Sequence, residues 1–213
     1  MALWGSGRAI AALLVASVTA VCAGGCRSRQ DGRPAASATE GARPAGVPVN
    51  ARREAPPPGL KASALALGAR APAVALASSG GDTWSLQTTL AQGPVVVVFY
   101  RGHWCPYCRT QLVDLQQRLA DFTARGATLV AIAVDPADQA RALAARLGLS
   151  FPLLSDPTRE VVRAFGVEDA ENAIAWPAIF IIARDGTVTW RAPAETYKLR
   201  PLPEAILEAL ATE

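Results

Sequence analysis

Apolar positions along residues 61–213 change period in a regular way, and the changes mark out elements. "AVALASSGGDTWSL" (Ala73–Leu86) has two short alternating pieces around Ser-Ser-Gly-Gly, which predicts a β-hairpin. "PVVVVFY" (Pro94–Tyr100) is an unbroken β-branched run, the pattern of a central strand buried on both faces. Leu112, Leu115, Leu119 and Phe122 then recur at helical spacing, predicting one amphipathic helix after that strand. "ATLVAIAV" (Ala127–Val134) is a second buried strand, stopped by Asp135-Pro136, and Ala140, Leu143, Ala144 and Leu147 mark another helix. "FPLLSD" predicts a short strand and Pro157 to Phe165 a short helix. "PAIFIIARDGTVTWR" predicts two strands turning at Asp185-Gly186. Pro203 to Leu210 closes the chain with a helix. Strands alternating with helices imply a parallel core, and the last hairpin adds an antiparallel edge, so the expected class is a layered α/β sandwich.

The first 60 residues follow other rules. Arg8 precedes an apolar run, Ala9–Val21, too short for the ~20 residues a membrane span needs, and "AGGC" places small residues before Cys26. Residues 1–25 read as an export signal. The "AGGC" stretch resembles the lipobox of bacterial lipoproteins, which implies lipidation of Cys26 and anchoring at the bacterial cell envelope, on its periplasmic or outer face. Cys22, preceded by Val21, fits that pattern less well, and an ordinary cleaved signal with Cys26 incidental is the alternative. Residues 26–60 are Pro-, Ala- and Arg-rich without apolar periodicity, the composition of a disordered tether. This leaves residues 61–213 as one domain, long enough for a buried core.

Charge narrows the field of functions. Residues 1–60 carry seven Arg against Asp31, Glu40 and Glu54, while 61–213 carry 14 basic and 15 acidic residues. The surplus belongs to the N-terminal segment, and nothing points to a nucleic-acid partner. Export has its own consequence: outside the cytoplasm a dithiol needs a dedicated electron donor or rests as a disulfide.

The candidate chemistry lies in "YRGHWCPYCRTQL" (Tyr100–Leu112), which holds two of the four cysteines and the only histidine, His103. A Cys-x-x-Cys pair clips a metal, staples the chain or passes electrons. Zinc needs four N or S ligands, and this stretch offers Cys105, Cys108 and His103; Cu(I) tolerates two soft thiolates better, so a copper- or thiol-binding module without turnover stays open. A disulfide this short closes almost no loop and would stabilise little. An adaptor that keeps a resting disulfide also stays open. Electron passing has a positional argument. The pair falls where a buried strand hands over to a helix, with Pro106 suited to the first helical position. That puts Cys105 at the N-cap, where first-turn N–H groups and the helix dipole favour a thiolate, and makes Cys105 the expected attacker. Trp104 is expected to shield the pair and His103 to be an exposed neighbour that tunes it; Arg101 supports the site by supplying positive charge, as Arg109 could, the alternative for each being a solvated residue flanking the loop or the helix start.

These stretches, with "GARAPAVAL", "GLSFPLLSDPTREVVRAFGV" and "PAIFIIARDGTV", resemble thioredoxin-fold redoxins. More closely, they resemble the peroxiredoxin-like branch of the alkyl hydroperoxide reductase/thiol-specific antioxidant superfamily, over about residues 64–211. The resemblance implies a thioredoxin-like three-layer α/β/α sandwich with a mixed central sheet and an N-terminal β-hairpin extension. It also implies a redox enzyme that works without a cofactor or metal. Pro177 matches the cis-proline facing the active cysteines, which would set the Trp176 backbone against Cys105, and Tyr107 lies inside the motif. Peroxiredoxins carry Pro-x-x-x-Thr-x-x-Cys; aligned here, the cysteine is Cys108, the threonine Cys105 and the proline Arg101, while the family's distant arginine falls near Pro177. The implied activity is reduction of hydroperoxides by a Cys105/Cys108 cycle fed by an external thiol donor. Thioredoxin-type exchange with protein disulfides is the alternative. Position points to Cys105 as the first sulfur to react, alignment to Cys108; position is preferred.

Overall fold

The structure is a computed structural model that describes residues 55–211. The signal, Cys22, Cys26 and most of the tether lie outside the described residues. In chain order the elements are α1 (Leu60–Ser63), β1 (Ala75–Ser78), β2 (Thr83–Ser85), α2 (Leu86–Leu90), β3 (Val95–Phe99), α3 (Pro106–Gln117), α4 (Leu119–Ala124) and β4 (Thr128–Ala133). There follow α5 (Ala137–Leu147), β5 (Leu153–Ser155), α6 (Glu160–Ala164), β6 (Glu168–Asp169), β7 (Ile174–Ala175), β8 (Ala178–Ile182), β9 (Val188–Pro193) and α7 (Pro203–Leu210).

Seven strands form one mixed sheet in the order β2-β1-β5-β4-β3-β8-β9, and β6 and β7 pair separately. β3, β4 and β5 are parallel; β8 runs antiparallel to β3, and β1 antiparallel to β5. The expected parallel core is therefore flanked on both sides, because the N-terminal hairpin joins the sheet through β1 beside β5 while the C-terminal hairpin joins beside β3.

The Val-rich run of β3 fits its place at the centre. Val96, Val98 and Tyr100 face one core with Leu112 and Leu115 of α3, Phe122 of α4, Leu143 of α5 and Ile206 of α7. Val95, Val97 and Phe99 face the other, with Leu86 of α2, Val162 of α6 and Phe165. Each such side chain fully buried contributes about 1.5–3 kcal/mol of hydrophobic free energy, so period-two alternation inside an all-apolar strand is what glues helices to both faces. Phe99 also meets the ring of Phe165 at 5.0 Å and that of Phe180 at 5.9 Å.

Three expectations change. The single helix predicted through Leu112–Phe122 breaks at Arg118, whose φ/ψ of −106°/10° leave the helical region and whose N–H bonds back to Leu115 O, a tighter turn that swings Phe122 onto the sheet. The predicted Pro157–Phe165 helix shortens to α6, because Asp156 and the turn after it cap a single turn: Asp156 accepts the N–H groups of Glu160 and Val162. Leu60, placed by composition at the end of the tether, is buried against Trp176 and Tyr197, so the folded unit takes it in.

The ends of the strands position the site. β3 pairs with β4 through Phe99 and Ile132, and Tyr100 N–H continues the ladder to Ile132 O. The chain leaving β3 toward α3 and the chain leaving β4 at Asp135 therefore emerge side by side at the carboxyl edge of the parallel strands, where ligand sites of open α/β sheets form. Phe99 also pairs with Ala178, so Trp176 and Pro177 reach the same edge.

Candidate active site

Cys105 is the N-cap of α3 and Pro106 opens the helix, as the sequence implied. Cys105 Sγ accepts the Cys108 N–H at 3.4 Å. The two sulfurs are 2.6 Å apart, both cysteines are free thiols, and neither is exposed. Pro106 and Tyr107 lie on the surface above them.

What surrounds the sulfurs separates their roles. Two like charges this close cannot both form, so one sulfur holds the proton. Burial alone would raise the Cys108 thiol. The hydrogen bond shared with Cys105, the Arg200 charge, the Arg101 backbone N–H and a hydrogen bond from Arg200 outweigh it and bring Cys108 down to about 6. Arg200 Nη2 stands 3.5 Å from Cys108 Sγ. The Cys105 thiol is pushed up, first by its hydrogen bond to Cys108, then by burial and by the Cys108 charge. Helix position alone favoured Cys105. The hydrogen bond between the sulfurs and the Arg200 guanidinium favour the charge on Cys108.

Arg200 is the residue the sequence reading missed. It lies in the irregular stretch between β9 and α7, with no motif around it, 92 positions from Cys108. The region near Pro177, where alignment would place the family's arginine, supplies none; the cation arrives from a different part of the chain. Gln111 Oε1 accepts from Arg200 Nε at 3.1 Å and holds the guanidinium in place.

Arg101 is 1% exposed, so the solvated alternative does not hold for it. Its guanidinium stacks over Trp104 at 5.1 Å and Tyr197 at 4.7 Å, a desolvated cation–π arrangement. Burial lowers its ordinary value, while the two sulfurs and Asp169 favour its charged form. Tyr197 also meets the Tyr107 ring edge-on at 5.6 Å. Trp104 is partly buried against the core that holds the cysteines, in keeping with a shielding role.

His103, expected to be exposed, is turned inward: Asp135 accepts its backbone N–H at 2.7 Å, and its Nδ1 lies 2.9 Å from the other carboxylate oxygen. In the sequence Asp135 marks only the end of a strand, before Pro136. Burial and the charges of Asp135 and Cys108 push the Tyr100 phenol well above its usual range, so it stays neutral. Trp176 is fully buried, packs with Leu60 and Tyr197, and donates Nε1 to Ala194 O at 2.9 Å. Its side chain thus props the segment that carries Tyr197 and Arg200. Pro177 is buried beside it and accepts the Ala194 N–H at 2.9 Å. Arg109 is half-buried on α3. Among the described residues no group of three or more His, Cys, Asp and Glu side chains is set to hold a metal ion.

A groove of about 280 Å³ opens beside the pair, lined by Tyr107, Gln111, Leu115, Leu199, Arg200 and Leu202 among others. Leu199 and Leu202 are 63% and 67% exposed on its rim. Of its lining residues, Arg200 is the one in contact with Cys108 Sγ and Gln111 the one that holds Arg200.

A buried dithiol at the head of a helix, on the carboxyl edge of a mixed sheet with helices on both faces, defines a thioredoxin-fold redoxin. More narrowly, residues 67–191 match the AhpC/TSA family, and the chain belongs to that family. It is similar to a Mycobacterium tuberculosis protein carrying a peroxiredoxin name, 38% identical over 106 residues that cover 50% of this chain and 67% of that one. It is also similar to alkyl hydroperoxide reductase E of Mycobacterium bovis, 28% identical over 67% of this chain and 96% of the relative. Among solved structures, peroxidoxin BcpB of Mycobacterium tuberculosis superposes with a TM-score of 0.63 at 24% identity, covering 68% of this chain and 96% of that one. AhpC of Enterococcus faecalis gives 0.64 at 20% identity, covering 70% and 92%. These two likenesses speak to the fold.

Proposed function

We propose that the chain is a thiol-dependent peroxidase that reduces hydroperoxides through a Cys105/Cys108 dithiol–disulfide cycle, with Cys108 as the attacking sulfur. The observation that carries the assignment of roles is the Arg200 guanidinium 3.5 Å from Cys108 Sγ, whose thiol is brought down to about 6, with Cys105 Sγ 2.6 Å away. Membership of the AhpC/TSA family supports hydroperoxides as the oxidant.

The Cys108 thiolate attacks the terminal oxygen of the hydroperoxide. The S–O bond forms, the O–O bond breaks, and the electron pair leaves on the alkoxide, which takes a proton from solvent. Cys108 is now a sulfenic acid. Cys105 sulfur attacks it, the Cys105–Cys108 disulfide forms, and one water leaves with the Cys105 proton. An external thiol donor reduces the disulfide through a mixed disulfide. Both sulfurs are buried, so the oxidant reaches Cys108 only through a local opening of the side chains around it.

Thioredoxin-type exchange with protein disulfides is the second reading, favoured by Cys105 sitting at the N-cap with its Sγ accepting the Cys108 N–H. The export signal and "AGGC" support placing the enzyme outside the cytoplasm, tethered to a membrane through lipidated Cys26, where it would meet peroxides at the cell envelope. The test is hydroperoxide consumption by the purified protein with dithiothreitol as donor. Steady consumption lost in Cys108→Ser supports the peroxidase. Slow consumption beside rapid exchange with a protein disulfide favours the second reading.

A further inference from the structure

Gln111 sits at the i+3 position from Cys108 on α3, which puts both side chains on one helix face. It is 5% exposed. Its Oε1 is used by Arg200, but its Nε2 has no hydrogen-bond partner among the described residues. Buried amide donors are rarely left so, and this one belongs to a residue that lines the groove together with Arg200. A single guanidinium bridges the two: its Nε meets Gln111 Oε1 at 3.1 Å and its Nη2 meets Cys108 Sγ at 3.5 Å. The family pattern would supply a threonine hydroxyl to the peroxide from position 105. Here that position is Cys105, whose sulfur stands 2.6 Å from Cys108 Sγ.

We propose that Gln111 Nε2 is the substrate's hydrogen-bond donor, holding the leaving oxygen of a hydroperoxide bound between Gln111, Arg200 and the Cys108 thiolate. This rests on the peroxidase reading and adds a catalytic group to it. As the thiolate forms its bond to the terminal oxygen, the O–O pair moves onto the oxygen that Gln111 and Arg200 hold. The developing alkoxide is met by a donor and a cation already in place, and a solvent proton completes the alcohol, or water when the substrate is hydrogen peroxide. Gln111 thus has two tasks on one amide: Oε1 sets the guanidinium, Nε2 receives the substrate.

Gln111→Glu keeps an acceptor for Arg200 and removes the donor; Gln111→Leu removes both. The full chain, reduced, is mixed with hydrogen peroxide by stopped flow, and the same samples are alkylated with iodoacetamide across pH to give the Cys108 midpoint and the rate per thiolate. With both variants folded by circular dichroism, the expected result is a fall of about 10-fold or more in peroxide rate per thiolate for both. Alkylation per thiolate should stay within about twofold, because iodoacetamide needs no oxygen donor. Peroxide rates per thiolate unchanged in Gln111→Glu, or falling in step with alkylation, overturn the proposal and leave the peroxidase reading standing. A wild-type peroxide rate no greater than that of free cysteine thiolate overturns both.

Discussion

Replacing Arg200 with methionine keeps most of the side chain's length and removes its charge. At 3.5 Å a unit pair is worth about 5 kcal/mol at an effective dielectric of about 20 and about 1 kcal/mol in bulk water. Arg200 is only half-buried, so solvent screening puts the loss toward the lower end, about 2 kcal/mol, or about 1.5 pKa units. The Cys108 midpoint should therefore climb from about 6 to roughly 7.5 in the variant. At pH 6.5 that takes the thiolate fraction from about three-quarters to about one-tenth. Removing the guanidinium also uncovers the sulfur, which raises the rate of each thiolate that remains. The quantity to measure is therefore the pH midpoint of iodoacetamide alkylation, assigned to Cys108 by peptide mass. Arg200→Lys should fall between wild type and Arg200→Met, because an ammonium keeps the charge and loses the bond to Gln111. A Cys108 midpoint unmoved in Arg200→Met, or a Cys105 peptide that alkylates first in wild type, would refute the electrostatic argument.

Other parts of the structure make further predictions. The folded Cys108 value lies below the unfolded thiol value of about 8.5, so its contribution to stability is complete above that pH and is lost as pH falls through about 6. Urea midpoints of the reduced protein should rise from pH 6 to 8, and those of Cys108→Ser should not. Asp135→Ala strips the acceptor from both the backbone N–H and the Nδ1 of His103, which should cost about 1–3 kcal/mol in thermal or urea unfolding; Asp135→Asn keeps one acceptor and should lose less. Gly102 has φ +150°, and a Cβ there would stand 2.6 Å from Trp104 Nε1. Gly102→Ala should destabilise by about 1–3 kcal/mol and change tryptophan emission as Trp104 leaves the Arg101 guanidinium.

What the sequence made legible was whatever local order expresses. The unbroken apolar run named β3 as central, and the Pro106 signal placed Cys105 at the N-cap. Asp185-Gly186 placed the last hairpin, where Gly186 has φ +89°. Contacts that depend on which strand ends lie together were not readable. His103 and Asp135 are 32 residues apart and meet because β3 and β4 are parallel neighbours ending at one edge. The burial of Arg101 was not readable either, because its partners are Trp104 and Tyr197, the latter in an irregular segment 96 positions later in the sequence. Arg200 was hidden for the same reason, and with it the cation that stands on Cys108. The break at Arg118 escaped because helical spacing of Leu115 and Phe122 survives it.

The central claim is that Cys108 meets the oxidant and Cys105 resolves it. Its most direct test is to treat the reduced single variants with less than one equivalent of hydrogen peroxide, trap sulfenic acid with dimedone and locate the adduct by mass spectrometry. Cys105→Ser should be trapped at Cys108 within the dead time of manual mixing, and Cys108→Ser should show no adduct on that timescale. A rapid adduct on Cys105 in Cys108→Ser, with Cys108 slow in Cys105→Ser, would contradict the account.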